Sequence, residues 1–296
     1  MIQLAHPIFG IDGGGTGCRA VVCDADGNRL GQGKAGPSNI MTNLEGARDN
    51  IVEACRRALD DAGLDECALV ASDAFLGVAG ANVGDFGERI AAVLPFRSCA
   101  IGTDAAIALQ GALGDSDGAV AIIGTGSVFI SRSAGHIRSI GGWGFIVGDL
   151  GSGARLGRSL LQEALLVHDG VHAQTPLMEA VLKHFDNDPQ AIVEFVHAAR
   201  PAAFGTFAPM VFEYSSQNDT AARSILMQAV SDVEEMLDAI LAGRDLPLCF
   251  LGGLGRKYRD WVGEAYRQNL VEPLGEAVDG AVTLALKRFA PAGDAR

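Results

Sequence analysis

Apolar residues in this chain fall into short runs separated by glycine turns and into stripes at helical spacing. Phe9 to Asp12 and Ala20-Val21-Val22-Cys23 predict two short strands around Gly13-Gly14-Gly15-Thr16, and Arg29 to Ala35 predicts a third after the turn Asp24–Asn28. Ala47, Ile51, Ala54, Cys55, Ala58 and Leu59 share one face of a helix, which Thr42-x-x-Glu45 opens as a capping box and Gly63 stops. Leu69 to Val78 reads in part as a strand, and a helix from about Asp85 to Leu94 is closed by Pro95. A strand from Ser98 leads to Asp104, and Ala105 to Leu113 reads as a helix.

The opening pattern then returns. Ala119 to Ile123 predicts a strand, Gly124-Thr125-Gly126-Ser127 a turn, and Val128-Phe129-Ile130 the next strand. Leu248 to Leu251 running into Gly252-Gly253-Leu254-Gly255 reads as a third such unit. The segment between is mostly helical. Its clearest helix is Thr220 to Ala242, with Ile225, Ala229, Val233, Met236, Leu237 and Ile240 toward the core. A last helix spans about Gly280 to Phe289, before a tail expected to fray from Ala290 to Arg296. The repetition predicts a duplicated α/β domain with a ligand between the copies, a usual place for a small-molecule site.

The length of 296 residues suits two domains or one large one, and an apolar fraction of 48% supplies a full core. A net charge of −13 argues against a nucleic-acid partner, which needs a basic face. Met1 to Pro7 lacks the basic and apolar regions of a signal peptide, and no stretch reaches the ~20 apolar residues of a membrane span. The six cysteines form no Cys-x-x-Cys pair, which predicts reduced, buried thiols in a cytoplasmic protein.

The first glycine turn carries the clearest chemistry. Glycine permits positive φ, and without a Cβ it lets a ligand reach the backbone N–H groups. Such a turn can cradle phosphate oxygens. Asp12 can hold a magnesium ion through water, and Thr16 can donate to a phosphate. An ordinary hairpin turn is the plainer reading. No Gly-Lys-Ser/Thr follows, so this is not a Walker-type loop.

Together, Asp12-Gly13-Gly14-Gly15-Thr16, Asp104, Gly124-Thr125-Gly126-Ser127 and Gly252-Gly253 resemble the sugar kinase/actin/Hsp70 superfamily. Ser38-Asn39, Thr103-Asp104-Ala105-Ala106 and Gly141-Gly142-Trp143-Gly144 running into Gly148-Asp149-Leu150-Gly151-Ser152 resemble the N-acetylglucosamine kinase branch of the BadF/BadG/BcrA/BcrD ATPase family. The resemblance implies two duplicated ribonuclease H-like, actin-like ATPase domains with a central cleft. These would cover 1–113, joined by the C-terminal helix 280–290, and 114–279 with a helical insertion.

The same resemblance implies ATP-dependent phosphorylation of the 6-hydroxyl of N-acetylglucosamine, with glucosamine the close second and Mg²⁺ as cofactor. Asp104 would be the general base, although an aspartate after a strand can simply cap a helix. Gly13, Gly14, Gly15, Thr16, Gly124, Thr125, Gly126 and Ser127 would hold the ATP phosphates, and Gly252 and Gly253 the nucleoside. Asn39, Asp104, Gly142, Trp143 and Asp149 would hold the sugar. Each has a plainer role: Asn39 in a turn, Trp143 in the core, Asp149 as a helix cap. A homodimer is the default expectation for assembly. An iron–sulfur activator of a dehydratase would need cysteine ligands, and no cysteine lies between Cys99 and Cys249.

Overall fold

A computed structural model describes residues 6–290; the expectations for the leader and for the tail beyond Ala290 fall outside these residues. The chain divides into two compact units, Met1–Ser116 with Glu272–Arg296, and Asp117–Val271.

In the first unit the strands are β1 (Ile8–Gly13), β2 (Cys18–Cys23), β3 (Arg29–Ala35), β4 (Asp73–Val78) and β5 (Ser98–Gly102). The helices are α1 (Leu44–Asp61), α2 (Ala68–Ala71), α3 (Phe86–Val93) and α4 (Asp104–Leu113). The sheet order is β3-β2-β1-β4-β5, antiparallel across the hairpins and parallel for β1, β4 and β5. α1 buries the six residues its spacing selects. They pack with Phe9, Ile11, Leu76 and Ile90 in one core. The cap is not Thr42: Asn43 accepts the Gly46 N–H at 3.0 Å, while the Thr42 N–H is taken by Asn39 Oδ1. Leu69 lies in α2, a single helical turn, so the strand begins only at Asp73.

The second unit contains β6 (Gly118–Ile123), β7 (Ser127–Ser133), β8 (His136–Gly141), α5 (Gly153–His168), α6 (Pro176–His184), α7 (Pro189–Ala198), α8 (Pro201–Gly205), α9 (Ala208–Ser216), α10 (Thr220–Leu241), β9 (Leu248–Leu251), α11 (Gly255–Tyr258) and α12 (Glu264–Arg267). Its sheet order is β8-β7-β6-β9, with β9 parallel to β6. The topology repeats that of the first unit with one strand fewer. A lone parallel bridge from Leu248 to Leu270 stands where β5 stands in the other sheet. α10 buries Ala222, Leu226, Val230 and Leu241 beside the expected Ala229, Val233, Leu237 and Ile240, whereas Ile225 and Met236 are only partly covered. Gly252-Gly253 is not followed by a strand. The chain turns into α11, so the third strand–turn–strand unit is a strand–turn–helix.

After the second unit the chain returns as α13 (Ala277–Phe289), earlier than Gly280. The Leu274 N–H bonds to the Ala112 carbonyl at 2.9 Å, which anchors the return before the helix begins. α13 crosses α4 closely. A Cβ on Gly111 would stand 2.1 Å from the Glu276 carbonyl oxygen, and one on Gly280 2.0 Å from that of Ile107. Only glycine permits this approach.

Candidate active site

In the first unit, β1, β4 and β5 run parallel, so their C-terminal ends lie along one edge, where open α/β sheets hold ligands. That edge carries the Gly13–Thr16 turn, Ala79-Gly80 and Asp104. The loop of Ser38, Asn39 and Ile40 joins them. The Ser38 N–H donates to the Gly14 carbonyl at 2.9 Å, and the Ile40 N–H to the Ala79 carbonyl at 3.1 Å.

The turn itself is inverted for anion binding. Its carbonyls point inward: Gly13 O accepts from Ala79, Gly14 O from Ser38, and Gly17 O from the Gly14 N–H. The N–H groups of Gly15 and Thr16 have no partner among the described residues, and both residues are exposed. None of Gly13, Gly14 and Gly15 adopts positive φ, so conformational freedom is not why glycine stands here. Gly13 is required by packing, since a Cβ would meet Ser38 Oγ and Val78 Cγ1, each at 2.7 Å. Gly15 has open space instead, with nothing within 4 Å of where a Cβ would stand.

Asp12 is already paired. The Arg19 guanidinium donates to its Oδ2 from Nη2 at 2.7 Å and from Nε at 3.2 Å. Arg19 also bonds Glu276 at 2.6 Å. The Oδ1 of Asp12 has no partner among the described residues, among which no three His, Cys, Asp or Glu side chains cluster as a metal site. A divalent ion held by Asp12 would therefore find fewer than three such ligands among the described residues, which suits Mg²⁺, an ion that commonly keeps water in its shell.

Asp104 is the first residue of α4 but not its cap. Thr103 caps, its hydroxyl oxygen accepting the Ala106 N–H at 3.1 Å. Asp104 Oδ1 accepts from the adjacent Ala105 N–H at 2.9 Å, and Oδ2 has no partner among the described residues. Burial raises the Asp104 pKa above the ordinary aspartate value; the Ala105 N–H opposes the rise and the Asp12 charge adds to it. Asn39 serves its turn, with Oδ1 accepting from Met41 at 3.0 Å and Thr42 at 3.2 Å. Its amide NH₂ remains to donate. Gly80 lies against that side chain at φ +92°.

The second unit repeats the construction. β6 and β9 are parallel, and the turns Gly124–Ser127 and Gly252-Gly253 follow their ends. The Gly124 and Thr125 carbonyls accept from Gly153 at 2.8 Å and Ala154 at 3.1 Å, at the start of α5. The N–H groups of Thr125 and Gly126 have no partner among the described residues. Gly124 and Gly253 have ordinary φ and empty space about a Cβ, whereas Gly252, at φ +85°, would put one 2.4 Å from the Ile123 carbonyl. Pattern reading missed Gly205 of α8. A Cβ there would stand 3.9 Å from Thr125 Oγ1, so part of the helical segment borders the turn.

The loop between β8 and α5 carries the remaining candidates. Trp143 is 71% exposed and is no core residue. Gly142 is also exposed, at φ +71°. Asp149 is buried and does not cap α5; Ser152 does, accepting the Arg155 N–H. Burial raises the Asp149 pKa, against the opposing effect of N–H bonds from Ser127 and Gly144 and the Arg155 charge.

Two sheets of repeated topology, each followed by a glycine turn whose N–H groups have no partner among the described residues, give a two-domain ribonuclease H-like fold of the kind that actin-like ATPases and sugar kinases share. Residues 9–285 match the BadF/BadG/BcrA/BcrD ATPase family, and the chain belongs to it. It is 34% identical to the glucosamine kinase GspK of Vibrio cholerae over 94% of this chain and 95% of that one. It is 26% identical to the N-acetyl-D-glucosamine kinase of Dictyostelium discoideum over 84% of this chain and 86% of the relative. Among solved structures, a Chromobacterium violaceum protein superposes with a TM-score of 0.89 at 32% identity, covering 96% of this chain and all of that one. A Streptomyces griseus ROK-family glucokinase shares the fold, with a TM-score of 0.57 at 19% identity, 95% of this chain and 99% of that one.

Proposed function

We propose that the chain is an ATP-dependent amino-sugar kinase that transfers the γ-phosphate of ATP to the 6-hydroxyl of N-acetylglucosamine, with glucosamine as the second candidate acceptor. The observation that carries this reading is Asp104. A carboxylate with one free oxygen, its pKa raised, lies on the same sheet edge as a phosphate-type turn. The full-length likeness to a glucosamine kinase supports the acceptor class.

In this reading the free N–H groups of Gly15, Thr16, Thr125 and Gly126 donate to phosphate oxygens, helped by the Gly13, Gly14 and Gly124 backbone and the Thr16 and Thr125 side chains; the buried Ser127, expected to join them, instead spends its hydroxyl proton on the Leu150 carbonyl at 2.7 Å. Gly252 and Gly253 leave the backbone bare for the nucleoside. Phosphoryl transfer depends mainly on positioning and on stabilising spread charge, which such donors supply. Asp12 would hold Mg²⁺, through water or directly by the carboxylate oxygen that Arg19 leaves free, and the bound ion would supply positive charge against the phosphates. Asn39, Gly142, Trp143 and Asp149 orient the sugar, and Trp143 offers it an apolar wall. Asp104 Oδ2 accepts the proton of the 6-hydroxyl as that oxygen bonds phosphorus and ADP leaves.

The test is a coupled ADP-release assay with N-acetylglucosamine, glucosamine, glucose and no sugar. The reading predicts turnover with one or both amino sugars at far lower concentration than with glucose. ADP release that is the same with and without sugar would overturn it, because the protein would then be an ATP hydrolase.

A further inference from the structure

Asp149 holds more of the second unit together than a sugar ligand needs to. It sits at φ +55°, a left-handed conformation unusual for a residue with a side chain, and is only 8% exposed. Its carboxylate stands between two loops: the Ser127 N–H at the end of the phosphate-type turn and the Gly144 N–H beside Trp143 both lower its pKa, against the larger rise that burial causes. Its Oδ2 lies 2.9 Å from where a Cβ on Gly126 would stand. Its carbonyl accepts the Ser152 N–H at 3.0 Å, at the cap of α5.

The surrounding bonds tighten the same junction. The Ser127 hydroxyl donates to the Leu150 carbonyl at 2.7 Å, and the Gly142 N–H to the Ser127 carbonyl at 2.9 Å. The Gly148 N–H donates to the Gly144 carbonyl at 2.8 Å, closing the Trp143 loop on itself. A buried carboxylate is costly unless polar groups face it, and here the Ser127 N–H of the turn and the Gly144 N–H of the loop offset part of the pKa rise that burial causes.

We propose that Asp149 is a positioning residue that ties the Gly124–Ser127 turn to the Trp143 loop, so that nucleotide and sugar affinities depend on one carboxylate. The proposal rests on the reading above, in which the turn takes phosphate and the loop takes sugar. If one side chain fixes both, loss of it weakens both ligands, and strain introduced in the turn is felt in the loop.

Titration calorimetry tests this with Mg·AMPPNP and N-acetylglucosamine, each added alone. D149N keeps the size but replaces one acceptor by an NH₂ group that faces a donor. It should raise the Kd for AMPPNP on the order of 10-fold with no sugar present, as well as the Kd for the sugar. G126A supplies the reciprocal arm. Its Cβ presses on Asp149 Oδ2, so it should raise the sugar Kd several-fold with no nucleotide present, although residue 126 lies in the turn. The D149N/G126A double variant should bind sugar no worse than D149N, because both act through one group.

A D149N protein whose AMPPNP Kd stays within about twofold of wild type, with only the sugar Kd raised, would overturn the proposal and leave Asp149 a sugar ligand alone. A carboxylate that merely supports folding would lower Tm and leave both Kd values of the folded protein at wild type, which also overturns it. Should D149N fail to fold, G126A decides, and an unchanged sugar Kd there refutes the coupling. Wild type that binds AMPPNP but neither amino sugar would defeat the proposed substrate, while the effect of D149N on AMPPNP would still decide whether this carboxylate holds the turn.

Discussion

Asp104, the proposed general base, is a side chain whose burial is costly to the fold. Burial lifts its pKa above the ordinary aspartate range, and the Asp12 charge adds to the lift. Because the folded pKa exceeds the unfolded one, stability is lost as pH rises through that window and does not return above it. Above that window the carboxylate is therefore a net burden to the fold. We expect D104N to cut kcat by roughly 10²- to 10⁴-fold, as loss of a general base does, while Tm at pH 7 stays level or rises. The wild-type kcat/KM should fall with decreasing pH through a pKa above the usual aspartate value. A D104N enzyme with near-normal turnover would remove the base assignment.

At this scale the sequence was partly legible. The position of Asp104 after a strand was readable, but whether it or Thr103 capped α4 was not, because both residue types cap well. The same ambiguity shifted the α1 cap by one residue, from Thr42 to Asn43, once Asn39 had claimed the Thr42 N–H. Trp143 could have been core or surface; only the fold decides, and it leaves the ring in solvent.

Between elements, the glycine turns separate into two kinds. Gly252 is demanded by the chain itself, through a positive φ and the nearby Ile123 carbonyl, whereas Gly15, Gly124 and Gly253 leave open space. G252A should therefore destabilise the protein by about 1–3 kcal/mol or more, read as a drop in Tm. G15A and G253A should fold with wild-type Tm yet weaken nucleotide binding in calorimetry, since the added methyl would enter the open space that the proposed nucleotide fills. If G15A and G253A bind nucleotide normally, these turns are ordinary hairpin and strand-end turns.

The regular elements were legible where one face is buried. β1 and the apolar stripe of α1 are continuous patterns that only a core explains. β8 was missed because its residues, His136 to Gly141, lie mostly in solvent at a sheet edge and show no apolar alternation. The turn after β9 looked like its two counterparts in sequence, but the chain beyond it coils into α11. A glycine pair marks a bend without fixing whether a strand or a helix comes next.

For the molecule as a whole, the duplication read from two glycine turns corresponds to two sheets of the same topology, one of them short of a fifth strand. The return of α13 to the first unit was less legible, because its anchor is a helix crossing rather than a motif. Gly111 and Gly280 let α13 lie against α4, whose first residue is Asp104. G280A should lower Tm by an overpacking cost of about 1–3 kcal/mol and should lower kcat too, because α4 carries Asp104, the proposed base. Wild-type stability in G280A would show that the crossing is looser than described. Among the described residues no helix is long and apolar enough to cross a membrane.

The central claim is a chemical one: a phosphoryl group moves from ATP to the 6-oxygen of an amino sugar. Phosphorus–proton correlation NMR of the products formed from ATP and N-acetylglucosamine, or glucosamine, reads this directly. The account predicts a phosphate coupled to the C6 protons of the sugar, formed one for one with ADP and absent with D104N. Free inorganic phosphate beside unmodified sugar, or a phosphate coupled to any other carbon, would contradict it.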